Sequence, residues 1–310
     1  MMTPELAPRP FVAERSGYRI VPHEGHARLY HIVPANMALA AFFASVRDID
    51  VQRLTYVPYM RFVIAQRLEA ALGSTFLDDV RAIVRDRASG GFTIGVEGST
   101  HDAGDYVKLA TGVSYLIGPS NFDAMSGTYY ARFDVKHTDA SDSYLRQAYR
   151  TMTLHTDGTY VDERTDWLLM MKFAEEHAVG GETRVLHLDD WDALHAFSEH
   201  PLATHIFTYR SPPSKNVGSI MHRPTFFPID GRPCIAYIDQ FAYPETLAQG
   251  AYLDAMTESM EAARGTVAVP LPVGDLILLN NMFWLHGRAA FEPNPLLHRE
   301  LLRQRGYFSP

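Results

Sequence analysis

Hydrophobic and polar positions change their spacing about one third of the way along the chain. From Asn36 to about Leu116 apolar residues recur at helical intervals, which predicts helices over 37–46, 59–72 and 105–117. Beyond residue 119 the apolar runs become short and are bounded by Gly, Pro and Asp. They predict strands over 129–136, 167–173, 183–188, 205–209, 234–238, 266–271, 276–280 and 300–308. Two more helical patterns interrupt the strands, over 189–199 and 244–263.

This order of elements favours one fold class. Many short strands separated by turn signals indicate a sandwich or barrel rather than alternating βαβ units. We therefore predict an α+β chain that is mainly β: a double-stranded β-helix (jelly-roll) barrel buttressed by helices. Within one domain over 1–310, we expect an irregular arm at 1–45, a mainly helical buttress at 46–118 and a jelly-roll with helical insertions at 119–310.

Composition excludes several classes of protein. With 46% hydrophobic and 21% charged residues, the chain is an ordinary globular one. A net charge of −8, without a run of Lys and Arg, argues against nucleic-acid and acidic-membrane partners. The single cysteine, Cys234, excludes an intramolecular disulfide and suits a reducing compartment. We find no basic-then-apolar leader and no apolar stretch of about 20 residues, so we expect a cytoplasmic protein.

The pattern His155-Thr156-Asp157 carries the first chemical signal. Side chains two residues apart project to the same side of a strand, so His155 and Asp157 can bind one ion. A distant histidine, His286, follows the strand-like run at 276–280, and a barrel brings such distant strands together. Two histidines and a carboxylate form the facial triad of non-haem Fe(II) oxygenases, which leaves three coordination positions open. The asparagine pair at 280–281 is a candidate for hydrogen bonds around these ligands.

Arginines near the end of the chain carry the second signal. Arg299, Arg303 and Arg305 have odd numbers, so they share one face of a regular strand. Buried guanidinium groups need anions, and their planar shape binds carboxylates through two hydrogen bonds. Thr183, which follows Gly-Gly-Glu, can donate its hydroxyl to a carboxylate. The alternative is a solvated edge strand decorated with charge, and Thr183 taken alone is an ordinary strand residue.

Taken in order, these motifs resemble a known family. The H-x-D pair, the Gly-Gly-Glu-Thr run, His286-Gly287-Arg288 and the terminal arginines resemble the Fe(II)/2-oxoglutarate-dependent dioxygenases of the taurine and γ-butyrobetaine dioxygenase type. Longer blocks between about residues 50 and 308 resemble the glutarate 2-hydroxylases, the carbon-starvation-induced proteins of bacterial lysine degradation. These blocks lie at 108–111, 120–127, 141–147, 212–217, 237–241 and 283–288.

The resemblance implies a function for the whole domain, a single 2-oxoglutarate oxygenase. It implies Fe(II), O₂ and 2-oxoglutarate, hydroxylation of glutarate at C2 to (S)-2-hydroxyglutarate, and release of succinate and CO₂. No side-chain general base is required, so we expect no catalytic residues beyond the metal ligands. A homotetramer is also implied.

The resemblance implies roles for individual residues as well. The metal ligands are His155, Asp157 and His286. The 2-oxoglutarate contacts are Thr183, Arg299, Arg303 and Arg305. Two five-carbon dicarboxylates side by side need several cations, so we take as substrate contacts Arg303, Arg305 and Arg132. Which arginine holds which acid stays open.

Three other functions compete with this interpretation. The substrate could be another small carboxylate, since an arginine-rich site would suit that too. A zinc hydrolase could use the same triad with water at a fourth position, but the arginines and Thr183 would then have no role. A barrel that binds a ligand without catalysis is a third alternative, against which the complete triad argues.

Overall fold

The computed structural model describes residues 11–124, 126–137, 147–211 and 219–310. The chain divides into two compact units, Met1–Ile117 with Gly274–Leu278, and Gly118–Val273 with Leu279–Pro310. The division near residue 118 coincides with the predicted change from helical to β-rich chain, while the single-domain assignment stays a prediction. The blocks at 141–147 and 212–217 lie almost wholly outside the described residues.

In these ranges the structure has helices and strands that we number in chain order. The helices are α1 Asn36–Val46, α2 Val51–Tyr56, α3 Tyr59–Leu72, α4 Phe76–Arg85, α5 Ala103–Ile117, α6 Leu194–Ser198 and α7 Leu247–Glu261. The first nine strands are β1 Ala13–Glu14, β2 Tyr18–Pro22, β3 Tyr30–Pro34, β4 Gly91–Gly95, β5 Ala131–Lys136, β6 Met152–His155, β7 Trp167–Glu176, β8 Thr183–His187 and β9 Ile206–Arg210. The others are β10 Ile220–Pro224, β11 Phe226–Ile229, β12 Arg232–Ile235, β13 Ala242–Tyr243, β14 Val267–Val269, β15 Asp275–Asn280, β16 Trp284–Arg288 and β17 His298–Gly306.

The first unit packs helices around a short sheet. Its strands follow the order β1-β2-β3-β4-β15, with β3 and β4 parallel. Helix α5 is buried from Tyr106 to its end and packs on α3, where Gly112 lets Leu68 approach closely. The helices predicted over 37–46, 59–72 and 105–117 are confirmed by α1, α3 and α5.

The irregular arm predicted for 1–45 is wrong in its described part. Residues 13–34 form β1, β2 and β3, and α1 follows at once. Tyr18 and Ile20 are buried on either side of the exposed Arg19 in β2, and Tyr30 and Ile32 are buried on either side of His31 in β3. Such alternation is the signal of a half-buried strand, but over five residues among Pro, Arg and His it is too short to stand out.

Two helices were also missed in the first unit. Helix α4 buries Phe76, Val80, Ile83 and Val84, which recur at the spacing of one helical face. Helix α2 has only six residues and begins after an Asp50 cap, whose side chain accepts a hydrogen bond from the backbone N–H of Gln52.

The second unit places two antiparallel sheets on either side of a cavity. One contains β7, β17 and β5 in that order, and the other has the order β14-β8-β16-β6. Residues of β5 and β17 line a cavity of about 420 Å³ together with residues of β6, β8 and β16. Smaller sheets, β10-β9-β13 and β11-β12, belong to the same unit. The sheets and helices of the described chain confirm the α+β part of the prediction.

Helix α7 confirms most of the helix predicted over 244–263. It begins after Thr246, whose hydroxyl accepts from the N–H of Gln249, while the Gln249 side chain accepts from the N–H of Thr246. This reciprocal capping box fixes the start of the helix. Among the described residues, none of the helices is both long and apolar enough to cross a membrane.

We expect Gly287→Ala to weaken the contact of β6 with β16. A Cβ atom at Gly287 would lie 2.5 Å from the carbonyl oxygen of Met152, so the two backbones would have to separate. We expect a loss of about 1–3 kcal/mol in the free energy of unfolding, measured by denaturant titration. Gly250→Ala in α7 is the control, because nothing lies within 4 Å of its Cβ position, and it should stabilise by about 0.5–1 kcal/mol. An unchanged midpoint for the Gly287 variant would contradict this account.

Candidate metal centre

The three predicted metal ligands meet at one wall of the cavity. His155 ends β6 and lies directly opposite His286 of the antiparallel neighbour β16, so that their rings are 4.2 Å apart between centroids. Asp157 follows in the loop that leaves β6. The ligand atoms of all three residues lie within 4.8 Å of one another, and both imidazoles are buried. The residues therefore come together at a spacing that suits a single ion.

A backbone carbonyl sets the tautomer of His155. Its Nδ1 lies 2.7 Å from the carbonyl oxygen of Thr153. Because a carbonyl oxygen only accepts, Nδ1 carries the proton and Nε2 keeps its lone pair. That Nε2 atom is 3.9 Å from Oδ1 of Asp157, on the side where the ligand atoms converge. Such outer contacts are how proteins orient histidine ligands.

Asn281 fixes the loop that carries Asp157. Its Oδ1 accepts from the N–H of Asp157 at 2.9 Å, and its Nδ2 donates to the carbonyl oxygen of Asp157 at 3.0 Å. The same Nδ2 donates to the carbonyl oxygen of Thr165 at 2.9 Å. The N–H of Thr156 donates to the carbonyl oxygen of Tyr237 at 2.8 Å. Hydrogen bonds around the ligands are thus confirmed for the second member of the asparagine pair.

Electrostatics leaves two of the ligands, Asp157 and His286, in the protonation state that binds a metal. Burial raises the pKa of Asp157, but the charge of Arg303 holds it well below its usual range. Burial and then the neighbouring His155 lower the pKa of His286 to about 3. The carboxylate is therefore ionised and the His286 imidazole neutral at neutral pH, as metal binding requires. The donor set fits a divalent ion of the first transition row.

Arg299 and Thr183 lie side by side in the cavity, as predicted for contacts to one carboxylate. Arg299 is only 1% exposed, and its Nη1 donates to the carbonyl oxygen of Gly181 at 2.7 Å. Its Nη2 donates to Oγ1 of Thr183 at 3.4 Å, and the guanidinium lies 5.6 Å from the ring centre of Phe291. Burial lowers the pKa of Arg299, and Glu175, with Oε1 3.7 Å from Nε, raises it.

Arg303 joins the metal centre to a second buried acid. Its Nη1 lies 2.9 Å from Oδ2 of Asp157, and its Nη2 donates to Oδ2 of Asp123 at 2.9 Å. Burial lowers the pKa of Arg303, while Asp157 and then Asp123 raise it well above its usual range. Sequence reasoning missed Asp123, although it belongs to the block at 120–127 that carries the resemblance.

Arg305 and Arg132, two of the predicted substrate contacts, differ in their positions. Arg305 is buried on β17 but is not among the residues that line the cavity. Its Nε and Nη1 have no hydrogen-bond partner in the described part of the chain. Arg132 does line the cavity, but its guanidinium binds Glu300 through two hydrogen bonds of 2.5 and 2.8 Å. Of these two arginines, Arg132 is therefore ion-paired with an acid of the protein, whereas two N–H groups of Arg305 have no hydrogen-bond partner in the described residues.

Arg288 also lines the cavity, although the sequence analysis assigned it no role. Its Nη2 donates to the carbonyl oxygens of Gln147 at 2.7 Å and Arg150 at 3.2 Å. Its guanidinium lies 5.2 Å from the ring centre of Phe291, so this ring contacts both Arg288 and Arg299. The sequence signal was its position two residues after a metal ligand, which puts both on one face of β16.

Sequence comparisons agree with this geometry. The family model described as CsiD matches residues 18–308. A glutarate 2-hydroxylase of Citrobacter koseri is 45% identical over 298 residues, covering 95% of this chain and 91% of that protein. A glutarate 2-hydroxylase of Klebsiella pneumoniae is 44% identical over 306 residues, covering 97% of this chain and 94% of that protein.

Solved structures with little sequence identity share the fold. An asparagine oxygenase in complex with Fe(II), hydroxyasparagine and succinate has a TM-score of 0.68 at 15% identity, covering 89% of this chain and 93% of that one. The non-haem iron oxygenase OrfP in complex with Fe and α-ketoglutaric acid has a TM-score of 0.68 at 16% identity, with the same coverage. The two structures show that the chain has the fold of these oxygenases.

We expect His286→Ala to abolish tight metal binding. The variant removes one of the three ligands. Loss of a hydrogen bond to a ligand already raises the Kd of a metal about 10–100-fold, so we expect the Kd for Co²⁺ to rise by more than that. Anaerobic calorimetric titration with Co²⁺ measures it. The control is His222→Ala, which removes an exposed histidine of β10. Equal affinity of the His286 variant and the wild type would show that the ion binds elsewhere.

Proposed function

This chain belongs to the CsiD family, and we propose that it is an Fe(II)- and 2-oxoglutarate-dependent dioxygenase that hydroxylates glutarate at C2. Glutarate, 2-oxoglutarate and O₂ are converted to (S)-2-hydroxyglutarate, succinate and CO₂. The observation that carries the proposal is the convergence of His155, Asp157 and His286 on the wall of a cavity lined by arginines. The identity to the two glutarate 2-hydroxylases supports the choice of substrate.

We propose that the sheets around the cavity form a double-stranded β-helix. The sheet with β17 supplies the arginines, and the sheet with β6 and β16 supplies the metal ligands. Facing sheets of this kind put chemistry from distant parts of the sequence into one dry interior. The cavity of about 420 Å³ falls within the range of small-molecule sites.

Each group in the cavity has a distinct part in the proposed reaction. Fe(II), held by His155, Asp157 and His286, would supply the activation of O₂ with 2-oxoglutarate as reductant. Thr183 and Arg299 hold the carboxylate of 2-oxoglutarate that is remote from the metal, through the hydroxyl and the guanidinium. Their mutual contact of 3.4 Å supports a shared role at one carboxylate. No side chain needs to take or give a proton, so we assign none to that role.

Glutarate brings two further carboxylates, and we propose that cations on the β5–β17 side hold them. Arg305 is buried on β17 beyond the residues that line the cavity, and it supports this role because two of its N–H groups have no hydrogen-bond partner among the described residues. Arg303 adds positive potential to this side rather than a free terminal nitrogen, since its Nη1 and Nη2 already face Asp157 and Asp123. Arg132 is the third candidate at the cavity, although Glu300 already binds its guanidinium.

Other proposals about the chain have less support. A cytoplasmic location is consistent with a single, buried cysteine, Cys234, which can form no disulfide within the chain. The homotetramer follows from the family resemblance alone. A zinc hydrolase would leave the Thr183–Arg299 pair without a role, and a substrate other than glutarate would need anchors for its own charges.

We expect the Fe(II)-loaded protein to form one succinate for each 2-hydroxyglutarate when it receives 2-oxoglutarate, glutarate and O₂. The measurement is anaerobic reconstitution followed by O₂ and chromatography of both acids. Protein loaded with Zn²⁺ is the control and should form neither. Succinate formed at the same rate with and without glutarate would exclude glutarate as the substrate.

We expect Thr183→Val to raise the KM for 2-oxoglutarate by about 10-fold or more, because a hydrogen bond to a charged group contributes roughly 1.5–3 kcal/mol. Thr183→Ser keeps the hydroxyl and is the matched control, with a KM close to that of the wild type. Arg305→Met should instead raise the KM for glutarate. Steady-state kinetics in each ligand separates the effects, and the reverse pattern would exchange the two assignments.

A further inference from the structure

Asp123 is a buried acid that accepts and donates hydrogen bonds within its turn. Asp123 is 6% exposed, and its backbone N–H donates to the carbonyl oxygen of Thr128 at 2.7 Å. The N–H of Gly127, which has a φ of +67°, donates to the carbonyl oxygen of Asp123 at 2.8 Å. The N–H of Ser126 donates to Oδ1 of Asp123 at 3.0 Å. The turn therefore fixes the carboxylate with its Oδ2 directed at Arg303.

Arg303 is held between two carboxylates. Its Nη2 donates to Oδ2 of Asp123, and its Nη1 faces Oδ2 of Asp157, each at 2.9 Å. The guanidinium also lies 4.7 Å from the ring centre of Phe133, a favourable position for a cation. The backbone of Arg303 pairs with β5 on one side and β7 on the other. The position of Nη1 beside Asp157 is thus fixed by several contacts, of which Asp123 provides the charged one.

The two oxygens of Asp157 consequently have different surroundings. Oδ1 lies 3.9 Å from Nε2 of His155, where the ligand atoms converge. Oδ2 faces Arg303 instead. A carboxylate that binds an ion through one oxygen leaves three of six positions open, whereas one that binds through both leaves two. The proposed reaction needs all three, two for 2-oxoglutarate and one for O₂.

We propose that Asp123 is a positioning residue of the metal centre, which holds Arg303 on Oδ2 of Asp157 and so restricts Asp157 to binding the metal through Oδ1 alone. The proposal rests on the proposed function only for the presence of a metal. It gives Arg303 a different task from Arg299, because carboxylates of the protein already bind both of its terminal nitrogens. It also gives a chemical role to the block at 120–127.

The charges around Asp123 agree with this role. Burial raises the pKa of Asp123, but Arg303 and then Arg305 lower it below its usual range, so the carboxylate is ionised. An ionised Asp123 therefore keeps the Arg303 guanidinium in place, with Nη1 beside Oδ2 of Asp157. Neutral asparagine has the same size but offers Arg303 a weaker acceptor.

The test counts the water molecules on Mn²⁺ bound at the site, by water-proton relaxation of the Mn²⁺-loaded protein. In wild type, three open positions hold water. In Asp123→Asn and in Arg303→Met, Asp157 can bind through both oxygens, so we expect the relaxation enhancement per bound Mn²⁺ to fall by about one third. Asp123→Glu keeps the charge and should recover most of the wild-type value. The double variant should show no larger fall than Arg303→Met alone.

Asp79→Asn is the matched control in the first unit. Asp79 also binds an arginine, Arg15 at 3.2 Å, and accepts from Tyr18 at 2.6 Å, but it has no part in the metal centre. Its variant should keep the wild-type relaxation, and circular dichroism verifies that each variant is folded. Wild-type relaxation in Arg303→Met overturns the proposal even if Asp123→Asn does not fold, and additive effects in the double variant overturn it too. Because no turnover is measured, failure of glutarate hydroxylation would leave this result intact.

Discussion

The pairing of β6 with β16 is the constraint on which the site depends. Residues directly opposite in an antiparallel pair have Cβ atoms about 4.5–5.5 Å apart, so one register places the imidazoles of His155 and His286 within reach of a common ion. A shift by one residue would send one of them to the other face of the sheet. Gly287 permits the close approach of the two strands at this point, and Asn281 fixes the loop that adds Asp157.

Around this centre, each buried charge has its own means of support. Removing a guanidinium from water is costly unless hydrogen bonds and opposite charges compensate. Arg299 relies on a backbone carbonyl, a threonine hydroxyl and an aromatic face, while Arg303 relies on two carboxylates. Arg132, which is more exposed, relies on Glu300. Arg299 has neutral hydrogen-bond partners and can still bind an anion, whereas the carboxylates beside Arg303 already neutralise its charge.

How much the sequence could predict follows from the range of each interaction. The H-x-D pair and its distant histidine were predictable because strand geometry fixes which side chains share a face, and those ligands do converge. The different roles of Arg299, Arg303 and Arg305 were not predictable, because they depend on partners such as Thr183 and Asp123 that lie far away in the sequence. The partner of Arg303 lies 180 residues away in a turn, so no local pattern could connect them.

Phe291 has a consequence for the cavity before any ligand enters. Its ring lies beneath both Arg288 and Arg299, and an aromatic face stabilises a cation without cancelling its charge. Chloride, sulfate and the anions of common buffers therefore compete with organic acids for the same positive wall. The salt in the solution therefore sets the fraction of protein molecules in which Arg288 and Arg299 are free of bound inorganic anions.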